Sequence, residues 1–286
     1  ILRQGPSRAT TGSSNMYILG ISCFYHDASA ALLKDGAIVA AAQEERFTRK
    51  KHDISFPINA INFCLKSQNI TIKDIDHIGF YEKPFLKFER LLFQHLESFP
   101  RSMKTFLSSM PSWLNEKLRV PKIIRKKLGC RKGVLFVEHH LAHAASSFLV
   151  SPFEEAAILT VDGVGEWTTT AMGKGKGNDI ELLKEIRFPH SLGLLYSTIT
   201  AYLGFTVNNA EYKVMGLAAY GTMDKEKNMY YKKLRNILDL KEDGSFRFDL
   251  SYFSYTFKDR MPSQKMLRLL DGPVRKPNEQ VTQRHQ

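Results

Sequence analysis

The chain has 286 residues, 43% of them hydrophobic, a formal net charge of +12 and three cysteines. That length suits a large core and two subdomains. No apolar run is long enough to span a bilayer and no secretory signal is visible, so no membrane is expected as partner and the expected compartment is the cytoplasm. Cys23, Cys64 and Cys130 are scattered, odd in number and without metal spacing, and read as reduced core thiols. The charge is regional: between Pro84 and Lys132 twelve Lys/Arg face three Glu, a net +9. Such a run is read as the solvated side of amphipathic helices. The aromatics there (Phe85, Phe88, Phe93, Phe106, Trp113) recur at helical spacing, which favours packing over base stacking, so nucleic acid is not the expected partner.

Residues 1–15 lack apolar periodicity and read as a disordered leader or a remnant from upstream of Met16. Tyr17–Cys23, Ala28–Lys34 and Ala37–Ala42 read as strands, with Asp35-Gly36 as a two-residue hairpin turn, giving an antiparallel meander. The first connection, Phe24-Tyr25-His26-Asp27, sets an imidazole and a carboxylate at a strand end; the plain alternative is an Asx-type turn with an exposed histidine. Glu44–Lys51 mixes both charges densely, as a salt-bridged surface or, more sharply, an anion-binding loop. Pro57 opens a short helix through Ile58, Ile61 and Leu65, and Asp74–Tyr81 returns to strand. Residues 84–128 read as helical, cut into pieces by Pro100, Pro111 and Pro121, and Gly133–Val137 as a strand.

The next helix carries an apolar stripe of Leu141, Ala144, Ala145, Phe148 and Leu149. His139 and His143 lie one turn apart on the opposite face, the spacing at which two imidazoles converge on a divalent metal. His140 lies about 100° round the wheel from His139 and is the bystander. The plain alternative is a chance pair on a solvated face; no HExxH is present, so a zinc peptidase is not indicated. Ala156–Val161 then reads as a strand buried on both faces, ending in Asp162 with Gly163 and Gly165 following. A carboxylate at a strand's carboxyl end stands where open α/β sheets place ligands. Asp162 is thus a candidate third ligand, and the two glycines would let backbone N–H groups approach a phosphate.

Thr168–Gly173 reads as a hairpin partner with residues 174–177 as its loop, and Leu192–Leu203 as a helix. In NNAEYKVMGLAAYG (208–221), Glu211 and Lys213 precede a small-residue segment in which Gly216 would allow close approach to a ligand; the plain alternative is a helix capped by Gly221. Met223–Leu240 reads as a charged amphipathic helix and Phe246–Phe257 as strands. No closing element is expected from Met261 onward, so the chain looks cut off.

GISCFYHDASAALLKDG, QEERFTRKKHD, VEHHLAHAASSF, LTVDGVGEW and NNAEYKVMGLAAYG, in this order, resemble the NodU/CmcH-type carbamoyltransferases, which include the tobramycin carbamoyltransferase. The resemblance implies an α/β actin-like ATPase (ASKHA) fold of the Kae1-like variant, with an incomplete second half. It implies a first subdomain over 16–155 carrying a basic helical insert at 84–132, a truncated second subdomain over 156–286, and a C-terminal YrdC-like domain absent here. The implied reaction makes carbamoyladenylate from carbamoyl phosphate and ATP and transfers the carbamoyl group to a hydroxyl of a small-molecule acceptor. Carried over, His139, His143 and Asp162 are metal ligands, with iron(II) expected and Mg2+, Mn2+ or Zn2+ as other divalent candidates. Gly163 and Gly165 line phosphates, and His26, with Asp27, removes the acceptor proton. Lys51 and Lys213 are candidate phosphate or carbamoyl contacts, with Glu211 and Gly216 beside them on the cofactor side. Two competing readings are threonylcarbamoyl transfer to tRNA, as in the Kae1/TsaD proteins, and a non-catalytic nucleotide-binding interaction module.

Overall fold

The computed structural model describes residues 15–222, 224–282 and 285. All but the last residue of the leader expected over 1–15, and the helix start expected at Met223, therefore lie outside the described residues. The fold is mixed α/β, in two compact units. One is built from residues up to Phe88, Met110–Ile158 and Lys174–Glu181; the other from Glu89–Ser109, Leu159–Gly173 and Leu182 onward.

The first unit begins with the expected meander: β1 (Tyr17–Ser22), β2 (Ser29–Lys34) and β3 (Ala37–Gln43). Asp35 and Gly36 have φ of 50° and 84°, the left-handed pair a tight hairpin requires. A short helix α1 (Glu45–Thr48) and a longer α2 (Ile58–Ser67) lead to β4 (His77–Phe80). The strand starts later than expected because Ile72–Asp74 forms a 3-10 turn that Thr71 and Asp74 cap reciprocally. Three helices follow along the chain, α3 (Pro84–Glu97), α4 (Met103–Asn115) and α5 (Val120–Leu128), of which Glu89–Ser109 belongs to the second unit; β5 (Val134–Phe136) and α6 (His139–Phe148) return to the first. The sheet order is β3-β2-β1-β4-β5, antiparallel across the meander and parallel from β1 through β4 to β5. Leu19, Leu32, Ile78 and Phe80 from the strands meet Ala60, Ile61 and Cys64 of α2 in its core. Val120 and Ile124 of α5 join that core while Lys122, Arg125, Lys126 and Lys127 stay exposed, so much of the basic run is a solvated helix face.

Two expectations here are corrected. Pro111 does not cut a helix but sits inside α4. Burial of Trp113 on the same helix, with its ring 5.7 Å from that of Phe88, outweighs the local penalty of roughly 3 kcal/mol. The buried stripe of α6 is His140, Ala144 and Phe148, one residue round from the expected one, and Leu149 is exposed beyond the helix end. The histidine taken for a bystander thus faces inward.

The second unit contains α7 (Leu192–Tyr202), α8 (Glu211–Ala218), α9 (Met229–Arg235), the ribbon β9 (Leu238–Leu240) and β10 (Phe246–Phe248), and α10 (Gln264–Leu269). Tyr202, Ile237, Phe248, Phe253 and Met266 form its core. Further corrections fall here. The long helix expected over 223–240 is α9 followed by a strand, and the segment after Met261 does contain a helix, whose Ser263 cap accepts amides from Lys265 and Met266. Beyond Phe248, residues 250–252 form a 3-10 turn rather than continuing as strand. The helix over 211–218 ends at Ala219 in right-handed conformation, not at Gly221.

A three-stranded sheet of order β6-β7-β8 comprises β6 (Glu155–Val161), β7 (Thr168–Lys176) and β8 (Asp179–Arg187). β6 is not buried on both faces: Ile158 and Thr160 are buried while Leu159 and Val161 are exposed, the alternation of a strand with one solvated face. Lys174–Lys176 are strand rather than loop; the turn is at Gly177, φ 59°.

Two contacts fix the backbone near the expected site residues. The buried Glu44 carboxylate accepts the Asn59 amide (3.2 Å), the Asn59 side-chain N–H (2.7 Å) and the Ala60 amide (2.9 Å) at the start of α2. There it satisfies orphan donors and complements the helix dipole. In the second unit, the buried Ser191 caps α7 through the Leu194 amide (3.0 Å) and donates its hydroxyl to the Gly163 carbonyl at 2.7 Å. A Cβ on Gly193 would lie 2.4 Å from the Asp162 carbonyl oxygen, a backbone atom that cannot step aside.

Glu44→Ala is expected to lower stability by roughly 2–4 kcal/mol in urea titration, since it strands buried amides. Gly193→Ala is expected to cost about 1–3 kcal/mol in the same measurement; wild-type stability would show that helix and turn do not press together.

Candidate functional site

β1, β4 and β5 are parallel neighbours, so the residues following each emerge at one edge of the sheet. His26 and Asp27 follow β1, Tyr81 and Glu82 follow β4, and His139 and His143 follow β5 on α6. This is the edge at which open α/β sheets bind ligands.

The connection after β1 is tightly held. Phe24 and Asp27 have φ of 71° and 48°, an outlying conformation for a bulky residue such as Phe24. The loop is tied to the 52–54 segment by backbone bonds, Phe24 to the Ile54 carbonyl (2.9 Å) and Ala28 to the Asp53 carbonyl (2.8 Å). Asp27 lies between two imidazoles, with Oδ2 3.2 Å from His26 Nδ1 and Oδ1 2.9 Å from His52 Nδ1. Glu45 accepts the His52 amide at 2.9 Å. Potential ligand atoms of Asp27, Glu45 and His52 lie within 4.8 Å of one another; the Asp27–His52 and Glu45–His52 hydrogen bonds bring them that close. The hydroxyl and amide of Ser55 hold the Asp53 carboxyl down at about 2. The acids of the 44–53 stretch therefore turn inward to the backbone, leaving Arg49, Lys50 and Lys51 exposed. Cys23, just before the loop, is buried, and burial first, with Glu116 and Glu82 adding, pushes its thiol up and keeps it protonated.

On α6 the two Nε2 atoms of His139 and His143 are 3.0 Å apart, with the rings nearly perpendicular at 83°. Metal–nitrogen bonds of about 2.1 Å at right angles would separate two nitrogens by about 3.0 Å. The separation equally suits an N–H···N bond between neutral rings. The donor set therefore fits a divalent ion. Behind the pair, the Tyr81 ring lies 5.6 Å from that of His139, and Glu82 Oε2 is 3.9 Å from His139 Nδ1. The buried Glu82 pairs with the buried Lys87 at 2.6 Å, and Lys87 Nζ stands 4.6 Å over the Tyr25 ring, itself 4.7 Å from the His26 ring. Burial, then the Glu82 charge, pushes the Tyr81 hydroxyl up.

Tyr25, His52, Tyr81, Glu82 and Lys87 were not singled out from sequence. The signal available was position: Tyr81 and Glu82 directly follow a strand, where His26 and Asp27 follow another.

In the second unit Asp162 directly follows β6, and its Oδ1 accepts the Gly163 amide at 2.7 Å. The Asp162 amide donates to the Thr169 carbonyl (2.8 Å) and the Gly165 amide to the Thr168 carbonyl (3.0 Å), so both glycine amides are engaged within this turn. Glu211 opens α8 and its Oε1 accepts the Asn208 amide at 2.8 Å, a local bracing contact. Lys213 and Gly216 are exposed on α8, with open space where a Gly216 Cβ would stand.

The family model described as carbamoyltransferase N-terminus matches residues 17–284. An uncharacterized protein of Synechocystis sp., sll1178, is 51% identical over 276 residues, 94% of this chain and 44% of that protein. Nodulation protein NolNO of Sinorhizobium fredii is 32% identical over 268 residues, 92% of this chain and 35% of its own. Nodulation protein NolO of Bradyrhizobium diazoefficiens is 35% identical over 114 residues, 40% of this chain and 20% of its own. The chain thus spans less than half the length of these relatives. A match running almost from end to end, together with a relative sharing half its residues, places this chain in the NodU-type carbamoyltransferase N-terminal family.

Proposed function

We propose that this chain is the nucleotide- and acceptor-handling portion of an O-carbamoyltransferase, with an actin-like ATPase fold. In this reading a carbamoyl group passes from carbamoyladenylate, made from carbamoyl phosphate and ATP, to a hydroxyl of a small molecule. The observation that carries it is the gathering of His26–Asp27 and the His139–His143 pair at the carboxyl edge of β1, β4 and β5, joined through the buried Glu82–Lys87 pair. The sheet order β3-β2-β1-β4-β5, with three antiparallel strands followed by parallel ones, is what supports the actin-like assignment.

The chemistry asks for three things. A carbamoyl carbonyl is a weak electrophile because its nitrogen donates into it, and an adenylate leaving group answers that. The substrates are polyanions, and the exposed Arg49, Lys50 and Lys51 supply opposite charge beside the His26 loop. The acceptor hydroxyl needs a base, and an imidazole with its Nδ1 proton on Asp27 offers Nε2 for that task. A divalent ion held by His139 and His143, with Asp162 as the carboxylate implied by the family pattern, would neutralise phosphate charge when bound. Iron(II) is the ion proposed, with Mg2+, Mn2+ and Zn2+ as alternatives. Lys213, Glu211 and Gly216 of α8, with Gly163 and Gly165, are proposed on the nucleotide side. A YrdC-like domain is the proposed partner for adenylate formation. The exposed cations of α5 favour one rival, threonylcarbamoyl transfer to tRNA, which filter binding of tRNA separates.

In a protein that joins this chain to the proposed YrdC-like domain, His26→Asn is expected to lower carbamoyl transfer by at least about 100-fold while carbamoyl-phosphate-dependent ATP consumption persists. Loss of both half-reactions would remove His26 from the base role. His139→Ala combined with His143→Ala is expected to strip metal, read by elemental analysis, with an unchanged circular dichroism spectrum. Unchanged metal content would end the metal proposal.

A further inference from the structure

We propose that His52 is a positioning residue that sets the tautomer of His26 by holding Asp27. The inference rests on the reading of His26 as the base and adds the device that prepares it.

Asp27 offers one carboxylate oxygen to each of two rings, Oδ2 to His26 Nδ1 at 3.2 Å and Oδ1 to His52 Nδ1 at 2.9 Å. An ionised carboxylate only accepts, so in the bonded arrangement both Nδ1 atoms carry the proton. That leaves the lone pair of His26 on Nε2, and the His26 side chain is half exposed, open to an incoming hydroxyl.

His52 differs from His26 in every respect that matters for reaching a substrate. Its Nε2 is buried and has no hydrogen-bond partner among the described residues, so it serves neither as a second base nor as an anion contact. What it has instead is fixity. Its backbone is left-handed, φ 53°, a conformation costing of order 1–3 kcal/mol that the surroundings must hold in place. Glu45 takes its amide at 2.9 Å, and the carbonyls of the next two residues receive the amides of Ala28 and Phe24 at either side of the His26 loop. A ring so fixed, bonded to one carboxylate oxygen, stops Asp27 from turning and aims the other oxygen at His26. Asp27 is only partly covered, at 35% side-chain exposure, and without that anchor its torsions are those of an ordinary loop aspartate.

The test uses the chain with 15N-labelled histidine and long-range 1H–15N correlation spectra at alkaline pH, where neutral tautomers are read directly. In the wild type His26 is expected as the Nδ1–H tautomer. In His52→Gln, whose amide reaches toward the Nε2 position and not toward Asp27, His26 is expected to shift toward Nε2–H. In His52→Asn, whose amide nitrogen sits near the Nδ1 position, the Nδ1–H form is expected to return. A wild-type His26 found as Nε2–H overturns the proposal outright. So does a folded His52→Gln chain in which His26 is unchanged. If His52→Gln does not fold, the comparison passes to His52→Ala, which also removes the Nδ1 donor: a shift of His26 to Nε2–H counts for the proposal and a retained Nδ1–H overturns it. In a protein that joins this chain to the proposed YrdC-like domain, His52→Gln is expected to lower kcat for transfer by about tenfold or more with KM for the acceptor unchanged. The expected tautomer pattern without any carbamoyl transfer would sink the functional reading and leave this one standing; transfer with an unresponsive tautomer would do the reverse.

Discussion

The first unit depends on one buried carboxylate. Glu44 lies at the end of β3, donates its own amide to the Ala28 carbonyl at the start of β2, and receives the first free amides of α2. Strand end, loop end and helix start are thereby locked to one another. Burying an acid is costly unless its lone pairs are used, and here an N-terminal turn of helix uses them. Between the two ends of this lock runs the 45–57 segment, which carries His52 and the exposed cations. The geometry around Asp27 is thus a consequence of where one helix begins.

The second feature that organises this unit is the Glu82–Lys87 pair. Both side chains are buried, and removing either would leave the other charged in a poorly solvated place. Lys87 also stands over the Tyr25 ring next to His26, and Glu82 stands behind His139. At 3.9 Å the Glu82 carboxylate acts on the His139 ring through charge and not through a hydrogen bond, and the cation beside it limits how far that charge reaches. The two halves of the site in this unit therefore share one electrostatic support, though they come from strands far apart in sequence.

In the second unit the Asp162–Gly163 turn is shaped by what lies against it. Ser191 and Gly193 sit at the start of α7, one donating to the turn's carbonyls and the other leaving room for them. A helix N-terminus beside a carboxylate-bearing turn is an electropositive setting. Here the Gly163 amide is already satisfied by the Asp162 side chain, so the dipole and the side chain act on the same few atoms.

Much of this was legible in the residues alone. The meander, its Asp-Gly turn, α2 and α7 follow from alternation, turn chemistry and helical periodicity, which are local properties. The spacing of His139 and His143 sufficed to bring two imidazoles together, because four residues along a helix is one turn. Other features were decided only by packing. Pro111 remains inside a helix because Trp113 is buried there, and α6 turns His140 inward, against the simplest reading of its apolar stripe. β6 alternates because one face of its sheet is covered and the other is not, a fact about neighbours and not about its own residues. Glu82, Lys87 and His52 drew no attention in sequence, since a charged residue looks alike whether it faces water or a buried partner. Local chemistry determined which segments became strands and helices, whereas the partner of each polar group was settled only when distant strands were set side by side.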